Sequence, residues 1–124
     1  MKKALFLLLI CILSLSLTAC GTDFNGSRTG NDHEFAMEYT VLNKTDSQDL
    51  SAEAGDTIHA KLEVEKGSLS VKIQKGADDP VYEGTGIALS DEFEVAIAES
   101  GIYTVTVTGD KAAGSIHFTV EDGQ

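Results

Sequence analysis

The sequence predicts an all-β fold, an antiparallel β-sandwich of about seven strands. Three observations lead to this prediction. From residue 34 onward, apolar residues alternate with polar ones in short runs, as in strands with one buried face. Glycine-rich turns separate the runs at intervals of roughly 8–12 residues. No stretch repeats its apolar residues with the 3.6-residue period of a helix.

The runs that fit the strand period are easily placed along the chain. They span residues 35–41, 58–64, 69–73, 81–82, 93–97, 103–107 and 116–120. The segment from 43 to 54 is the least regular, and it holds either a short strand around 49–52 or a loop. Their apolar positions suffice for one core, in a jelly-roll or immunoglobulin-like arrangement.

Glycines mark the predicted turns between these strands. Lys66-Gly67 separates two runs so closely that it predicts a hairpin with a glycine bulge. Further turns are predicted at residues 55–56, 76–80, 84–86, 100–101 and 109–114.

The first 19 residues have the composition of a signal peptide. Lys2 and Lys3 precede a 14-residue apolar run, which is shorter than the roughly 20 residues that span a bilayer as a helix. The following Leu17-Thr18-Ala19-Cys20 resembles the lipobox of bacterial lipoproteins. That resemblance implies a diacylglyceryl group on the Cys20 thiol and cleavage just before it. The acyl lipid is the one covalent group expected, with no other cofactor.

Residues 20–33 are predicted to be the lipidated cysteine and a flexible tether, followed by the sandwich over 34–124. Gly, Ser, Thr, Asn and Asp dominate the tether, and they show no period. Such a tether would reach roughly 20 Å, with Phe24 solvated.

The segment Ser100-Gly101-Ile102-Tyr103-Thr104-Val105-Thr106-Val107 is similar to a strand of bacterial β-sandwich modules. These include pre-peptidase C-terminal-type and jelly-roll carbohydrate-binding domains. The resemblance implies a sandwich, but little about function, because sandwiches host many functions. The acidic calcium-binding loops of that family are not recognisable in this sequence.

Composition excludes several classes of function. With 20 Asp and Glu against 9 Lys and Arg, the formal charge is −11, so nucleic acid is a poor partner. Two cysteines allow no disulfide framework, since Cys11 lies in the signal peptide and Cys20 is consumed by lipid. Motifs of hydrolases, zinc proteases and phosphate loops are absent, so the chain is not predicted to be an enzyme.

The chain has three histidines, His33, His59 and His117, and the last two are the candidates for a transition-metal site. His59 and His117 are predicted to point outward, so their rings would meet if their strands were neighbours. No third ligand is evident, and solvated histidines are the favoured interpretation.

Asp78 and Asp79, before Pro80, are the candidates for a calcium site. The alternative is a solvated acidic turn. Glycan binding would need exposed aromatic rings, and Tyr82 alone has the phase for exposure. Thr104, Thr106 and Thr108 line one outward face, as do Ser68, Ser70, Lys72 and Gln74 on another strand. Either row could form a protein-binding surface. The favoured explanation is simpler: these residues have a high propensity for strands and lie on a solvent-exposed face of the sheet.

Together these features predict a lipid-anchored envelope protein that displays a small non-catalytic sandwich to a protein partner. A glycan- or calcium-binding module, or an accessory subunit of a membrane transporter or enzyme complex, are the alternatives. The expected location is the extracytoplasmic face of the cell membrane, or the outer membrane in a two-membrane host. Removing Lys2 and Lys3 with the signal peptide takes the formal charge to −13, which should repel anionic headgroups.

Overall fold

The computed structural model describes residues 23–123, and these residues form seven antiparallel strands. The signal peptide, the lipobox and Cys20 lie outside the described residues. The strands are β1 (Phe24–Asn31), β2 (Glu34–Leu42), β3 (Thr45–Ala52), β4 (Thr57–Lys75), β5 (Tyr82–Ile87), β6 (Asp91–Ala96) and β7 (Gly101–Glu121). All-β architecture is therefore confirmed. Of the two alternatives for the irregular segment, a short strand or a loop, the structure has a strand, and β3 is longer than the 49–52 considered.

All seven strands belong to one hydrogen-bonded sheet that folds over on itself across β4 and β7. The first half of the sheet has the order β1, β2, the C-terminal part of β7, the N-terminal part of β4, and β6. The second half has the order β3, the N-terminal part of β7, the C-terminal part of β4, and β5. Only the two long strands cross from one half to the other.

The bends of β4 and β7 correct two predicted turns. Pairing of β4 with β7 continues on both sides of Gly67, so the hairpin expected there is wrong. Gly67 has a φ of 68°, and the register shifts on either side of Lys66, which bends the strand without ending it. Likewise residues 109–114 are a bend within β7, where Lys111 has a φ of 49° and Gly114 one of 144°. At both places the glycines correctly indicated that the regular strand is interrupted, although it bends there and does not end.

Most of the segment that was predicted to be a flexible tether forms strand β1 of the sheet. Its residues pair with β2 from Phe24 opposite Leu42 to Asn31 opposite Glu34. As an edge strand it exposes all its residues except Phe24, so it needs no alternation of apolar residues. Phe24 was expected to be solvated, but it is half-buried against the core. Only residues 21–23 separate the expected lipidation site, Cys20, from the first residue of the sheet.

The apolar faces of both halves meet in one core. Twenty hydrophobic residues are buried among the described residues, and the most enclosed include Phe35, Phe118, Leu50, Ile73 and Val105. The rings of Phe35 and Phe118 lie 6.2 Å apart. The inner faces therefore pack as in a sandwich. The glycines at 84 and 86, predicted to form a turn, lie within β5, which is an edge strand and tolerates them.

The strands run between two ends of the molecule, which we call the corner pole and the distal pole. At the corner pole lie the two bends, the start of β1, and the turns at 43–44 and 88–90. There the carbonyl of Asp23 accepts a hydrogen bond from the Asn43 amide at 2.7 Å. At the distal pole lie the turns at 32–33, 53–56, 76–81, 97–100 and 122–123.

Candidate functional site

The outer side of the first half of the sheet carries rows of charged and polar side chains, and we call it the charged face. Strand register sets these rows across β1, β2, β7, β4 and β6. One row contains Ser27, Glu38, Ser115 and Glu63; the next contains Thr29, Ala36, His117, Lys61 and Glu92; the third contains Asn31, Glu34, Thr119, His59 and Glu94.

A shallow groove of about 500 Å³ crosses the charged face. Its lining includes small side chains, such as Ala36 and Ser115, and the longer side chains of Glu38, Lys61 and Glu63. Glu38 and Glu63 flank Ser115 on opposite neighbouring strands. The groove thus offers carboxylates, an ammonium group and hydroxyls on a rigid sheet.

Each of the two histidines that lie within strands contacts a carboxylate on a neighbouring strand. Nε2 of His117 lies 2.7 Å from Glu34 Oε2, and Nε2 of His59 lies 2.7 Å from Glu92 Oε2. Their strands are neighbours, as the metal hypothesis required, but His59 stands opposite Thr119 and His117 opposite Lys61. Within residues 23–123 no three His, Cys, Asp or Glu side chains are grouped to hold a metal ion. The pairs therefore act as cross-strand links.

Asp78 and Asp79 lie in the turn after β4, beside an ammonium group. The carbonyl of Asp78 accepts a hydrogen bond from the Gln74 side-chain amide at 2.6 Å. Lys75 Nζ lies 3.2 Å from Glu99 Oε2. The hydrogen bond and charge of Glu99, and more weakly the charge of Asp78, raise the pKa of Lys75. The two aspartates lack a third acidic or histidine partner in the described chain.

The outer side of the second half of the sheet, which we call the hydroxyl face, brings the two predicted polar rows together. Thr104, Thr106 and Thr108 stand opposite Gln74, Lys72 and Ser70 on the neighbouring strand. Thr108 and Thr45 share a hydrogen bond of 2.8 Å between their hydroxyls, and Thr104 donates one of 2.7 Å to Asp49. Several of these hydroxyls are thus already hydrogen-bonded within the sheet.

The tyrosines do not form a platform for sugar rings. Tyr39 and Tyr103 lie in the core, as their phase predicted. Tyr82, the one tyrosine whose phase allowed exposure, is half-buried, and its ring stacks on Phe93 with centroids 4.1 Å apart. Burial, helped by the nearby charge of Asp91, raises the pKa of Tyr82. Among the described residues the exposed large hydrophobic side chains are Val81, Leu89 and Ile102, and none is aromatic.

Arg28 joins the two edge strands, and sequence reasoning missed it. From β1 its guanidinium reaches β3, where it bonds Asp46 Oδ2 and the Ser47 carbonyl, both at 2.8 Å, and Gln48 Oε1 at 3.1 Å. It also lies 4.9 Å from the centre of the Phe35 ring. A lone arginine in a polar, glycine-rich segment gives no signal of such a role.

Comparison with known proteins supports the fold and goes no further. No family model and no curated protein matches the chain. The pre-peptidase C-terminal domain of collagenase from Bacillus anthracis is similar, with a TM-score of 0.50, 15% identity, and coverage of 75% of this chain and 91% of that one. At this identity the likeness shows a shared fold, and the chain is thus a small β-sandwich module.

Two further solved structures align over most of the chain. One is PliG, a periplasmic inhibitor of g-type lysozyme from Aeromonas hydrophila, with a TM-score of 0.48, 17% identity and coverage of 83% and 90%. The other is a structure of a CBM4 module, with a TM-score of 0.42, 14% identity and coverage of 84% and 81%.

Residues 23–123 contain no helix long and apolar enough to cross a membrane.

Proposed function

We propose that this chain is a lipid-anchored envelope protein that displays a non-catalytic β-sandwich to a protein partner on the extracytoplasmic face. The observation that carries the proposal is the order of segments in the sequence. A signal-like apolar run ends in Leu17-Thr18-Ala19-Cys20, and a folded sandwich starts at Phe24. An acyl-modified Cys20 would therefore connect almost directly to the sheet. Two acyl chains are sufficient for stable membrane attachment.

The distribution of polar groups supports display over catalysis. Polar and charged residues are absent from the fully buried set among residues 23–123. Catalytic acids and bases usually depend on partial burial and charged neighbours to adjust their pKa. Here the described histidines and carboxylates are exposed or half-buried and none is fully buried, so they are available for contacts with another protein.

The charged face is the proposed contact surface. Its groove combines a concave shape with carboxylates of both flanking strands, whereas the hydroxyl face already uses several hydroxyls internally. Rows of fixed charges steer a partner of complementary charge and set its register. The acidic excess favours a basic partner.

Acylation is tested with two cysteine variants. Because Cys20 carries the lipid in this proposal, Cys20→Ala should abolish labelling with a palmitate analogue and release the protein from the membrane fraction. Cys11→Ala is the matched control, since Cys11 lies in the segment to be removed, and it should label like the natural protein. Labelling of Cys20→Ala at the control level would overturn the anchor.

The contact surface is tested by crosslinking in intact cells. A photoreactive residue at Ser115, in the groove of the charged face, should capture a defined protein that mass spectrometry identifies. The same residue at Thr106, on the hydroxyl face, is the control and should capture little. Equal capture at the two positions, or capture only from Thr106, would contradict the assignment of the charged face.

A further inference from the structure

The two poles of the sandwich differ strongly in charge. Within residues 23–123, the turns of the distal pole and the last residue of β7 carry eight carboxylates: Asp32, Glu53, Asp56, Asp78, Asp79, Glu99, Glu121 and Asp122. In this part of the chain, the ammonium group close to them is that of Lys75, which is paired with Glu99. An anionic surface would therefore repel the distal pole.

Three of the lysines lie at the corner pole. Lys66 is next to the bend of β4, Lys111 is in the bend of β7, and Lys44 precedes β3. Hydrogen bonds connect the segments of two of them, since the Lys44 carbonyl accepts one from the Gly109 amide and the Lys111 amide donates one to Asn43 Oδ1, each at 3.0 Å. Lys66 pairs with Ala113 in the bend of β7. All three side chains are exposed and form no ion pair within residues 23–123.

The described residues of this pole include four carboxylates, one more than the lysines, whereas carboxylates greatly outnumber the single lysine at the distal pole. They are Asp23, Glu65, Asp91 and Asp110. The corner pole is thus close to neutral, while the distal pole is strongly negative. A negative surface potential would turn the corner pole toward the surface and the distal pole away from it.

The corner pole also carries the most exposed large hydrophobic side chain of the described chain. Leu89 is 80% exposed. Its turn is fixed to the bend, because Ile87 pairs with Leu69, Asp91 pairs with Leu62, and Ser90 Oγ accepts a hydrogen bond from the Val64 amide at 2.9 Å. An apolar side chain beside lysines suits the boundary between headgroups and acyl chains.

The chain enters the sheet at this same pole. Asp23 contacts Asn43 there, and only Gly21 and Thr22 separate it from Cys20. Fully extended, the three steps from Cys20 to Asp23 span about 10 Å. A lipid on Cys20 would hold the corner pole against the bilayer surface.

We infer that the corner pole docks on the protein's own membrane, with Leu89 inserted among the headgroups and Lys44, Lys66 and Lys111 on lipid phosphates. The distal pole then faces away from the membrane, and the charged face stands upright between the two. This inference rests on the proposed lipid anchor at Cys20. It replaces the expectation of a domain that stands off the membrane on a long tether.

Docking is tested on the lipidated full-length mature protein in vesicles of phosphatidylglycerol and phosphatidylcholine. An environment-sensitive fluorophore is attached to Leu89→Cys, and to Ile102→Cys as the control near the distal pole, where Ile102 is 51% exposed. Cys20 is a thioether in the lipidated protein, so the new thiol alone reacts. Acrylamide should quench the label at 89 several-fold less than the label at 102, and a lipid-borne quencher should show the opposite preference.

The lysines are tested in the Leu89→Cys background. Each lysine near an anionic surface contributes about fivefold to binding. Lys44→Gln, Lys66→Gln and Lys111→Gln together should therefore return the label at 89 to the acrylamide quenching of the control position. The matched control is Lys72→Gln with Lys75→Gln, which removes lysines of the second half of the sheet that lie away from the corner pole, and it should leave the label shielded.

The failure of docking is distinguishable from the failure of the anchor. Flotation of the labelled protein with the vesicles reports the anchor independently of fluorescence. Protein that floats but exposes position 89 as fully as position 102 would overturn docking and leave the anchor intact. Shielding of position 89 in cells but not on protein-free vesicles would also overturn docking, because a protein would then cover the pole.

Discussion

At the scale of single residues, Arg28 closes the edge between the two halves of the sheet. It donates to three acceptors on β3 and lies over the ring of Phe35. Its side chain is 34% exposed, so solvent weakens each contact, but the planar fork satisfies several acceptors at once. The contacts hold β1, which otherwise pairs only with β2.

We expect Arg28→Ala to lower the free energy of unfolding by about 1–2 kcal/mol in urea titration. Arg28→Lys should recover less than half of this loss, because an ammonium group cannot bond the three acceptors together. Lys72→Ala serves as the control and should change stability by less than about 0.5 kcal/mol. An equal effect of Arg28→Ala and Lys72→Ala would mean that the edge needs no such link.

Two buried tyrosines form a natural comparison. Tyr103 donates its hydroxyl to the Glu99 carbonyl at 2.6 Å, whereas the buried Tyr39 hydroxyl has no partner among the described residues. Tyr103→Phe should therefore cost about 1 kcal/mol of unfolding free energy, while Tyr39→Phe should be neutral or stabilising. Thermal or urea unfolding measures both. A loss at Tyr39 as large as that at Tyr103 would show that its hydroxyl is satisfied by bound water.

Tyr39 also predicts a dependence on alkaline pH. Burial raises the pKa of Tyr39 from its usual value near 10 to about 12. Between these values the unfolded chain ionises while the folded chain does not, so stability is complete below pH 10 and falls as the pH approaches 12. The loss should reach at most about 3 kcal/mol, since each pKa unit corresponds to about 1.4 kcal/mol, and it should be smaller in Tyr39→Phe. Identical pH profiles would exclude Tyr39 as the cause.

At the scale of elements, the bends of β4 and β7 determine the architecture. Gly67 has a positive φ, and it also packs against the backbone carbonyls of Asp110 and Lys111. A Cβ added at this position would therefore collide with backbone atoms. Gly76 also has a positive φ, 55°, but no described atom lies within 4 Å of its Cβ position. The two glycines thus share their backbone requirement and differ in crowding.

Gly67→Ala should therefore cost clearly more than Gly76→Ala. We expect about 1–2 kcal/mol at Gly76, from the positive φ alone, and at least about 3 kcal/mol at Gly67. The difference in melting temperature between the two variants measures the crowding. Equal losses would mean that the bend can open to admit a methyl group.

The strands that were predictable are those with one apolar and one wetted face. Phe35, Ile58 and Val105 begin or centre runs whose alternation matched the buried positions. The alternation of apolar and polar residues shows which positions are buried, but it does not show whether two runs belong to one bent strand or to two strands joined by a turn. A bend at Gly67 and a hairpin at Gly67 therefore give the same sequence pattern. Strand β1 was missed because an edge strand made of polar residues carries no apolar period. The pairs of His59 and His117 depend on register, which the sequence left open.

At the scale of the whole molecule, an excess of negative charge opposes folding. The mature chain would carry a formal charge of −13, concentrated at the distal pole and on the charged face. Such self-repulsion is screened by salt, since the Debye length falls from about 30 Å at 0.01 M to about 10 Å at 0.1 M.

Raising sodium chloride from 0.01 to 0.5 M should therefore increase the melting temperature. Each kcal/mol of repulsion removed corresponds to about 4–8 °C for a domain of this size. Scanning calorimetry at constant pH measures the shift, and a neutral solute at equal osmolality provides the control. A melting temperature that falls with salt would show that ion pairs such as Arg28–Asp46 outweigh the repulsion.

The short connection into β1 also has a mechanical consequence. With a lipid on Cys20, the membrane would hold the start of β1 at the corner pole, while a partner bound on the charged face would pull the rest of the sheet away from the membrane along the strand axes. That load shears β1 against β2, and all of their paired residues resist it together rather than opening one after another. Strand β1, which consists of Phe24 and seven polar or glycine residues, would thus transmit the pulling force from the lipid anchor to the rest of the sandwich.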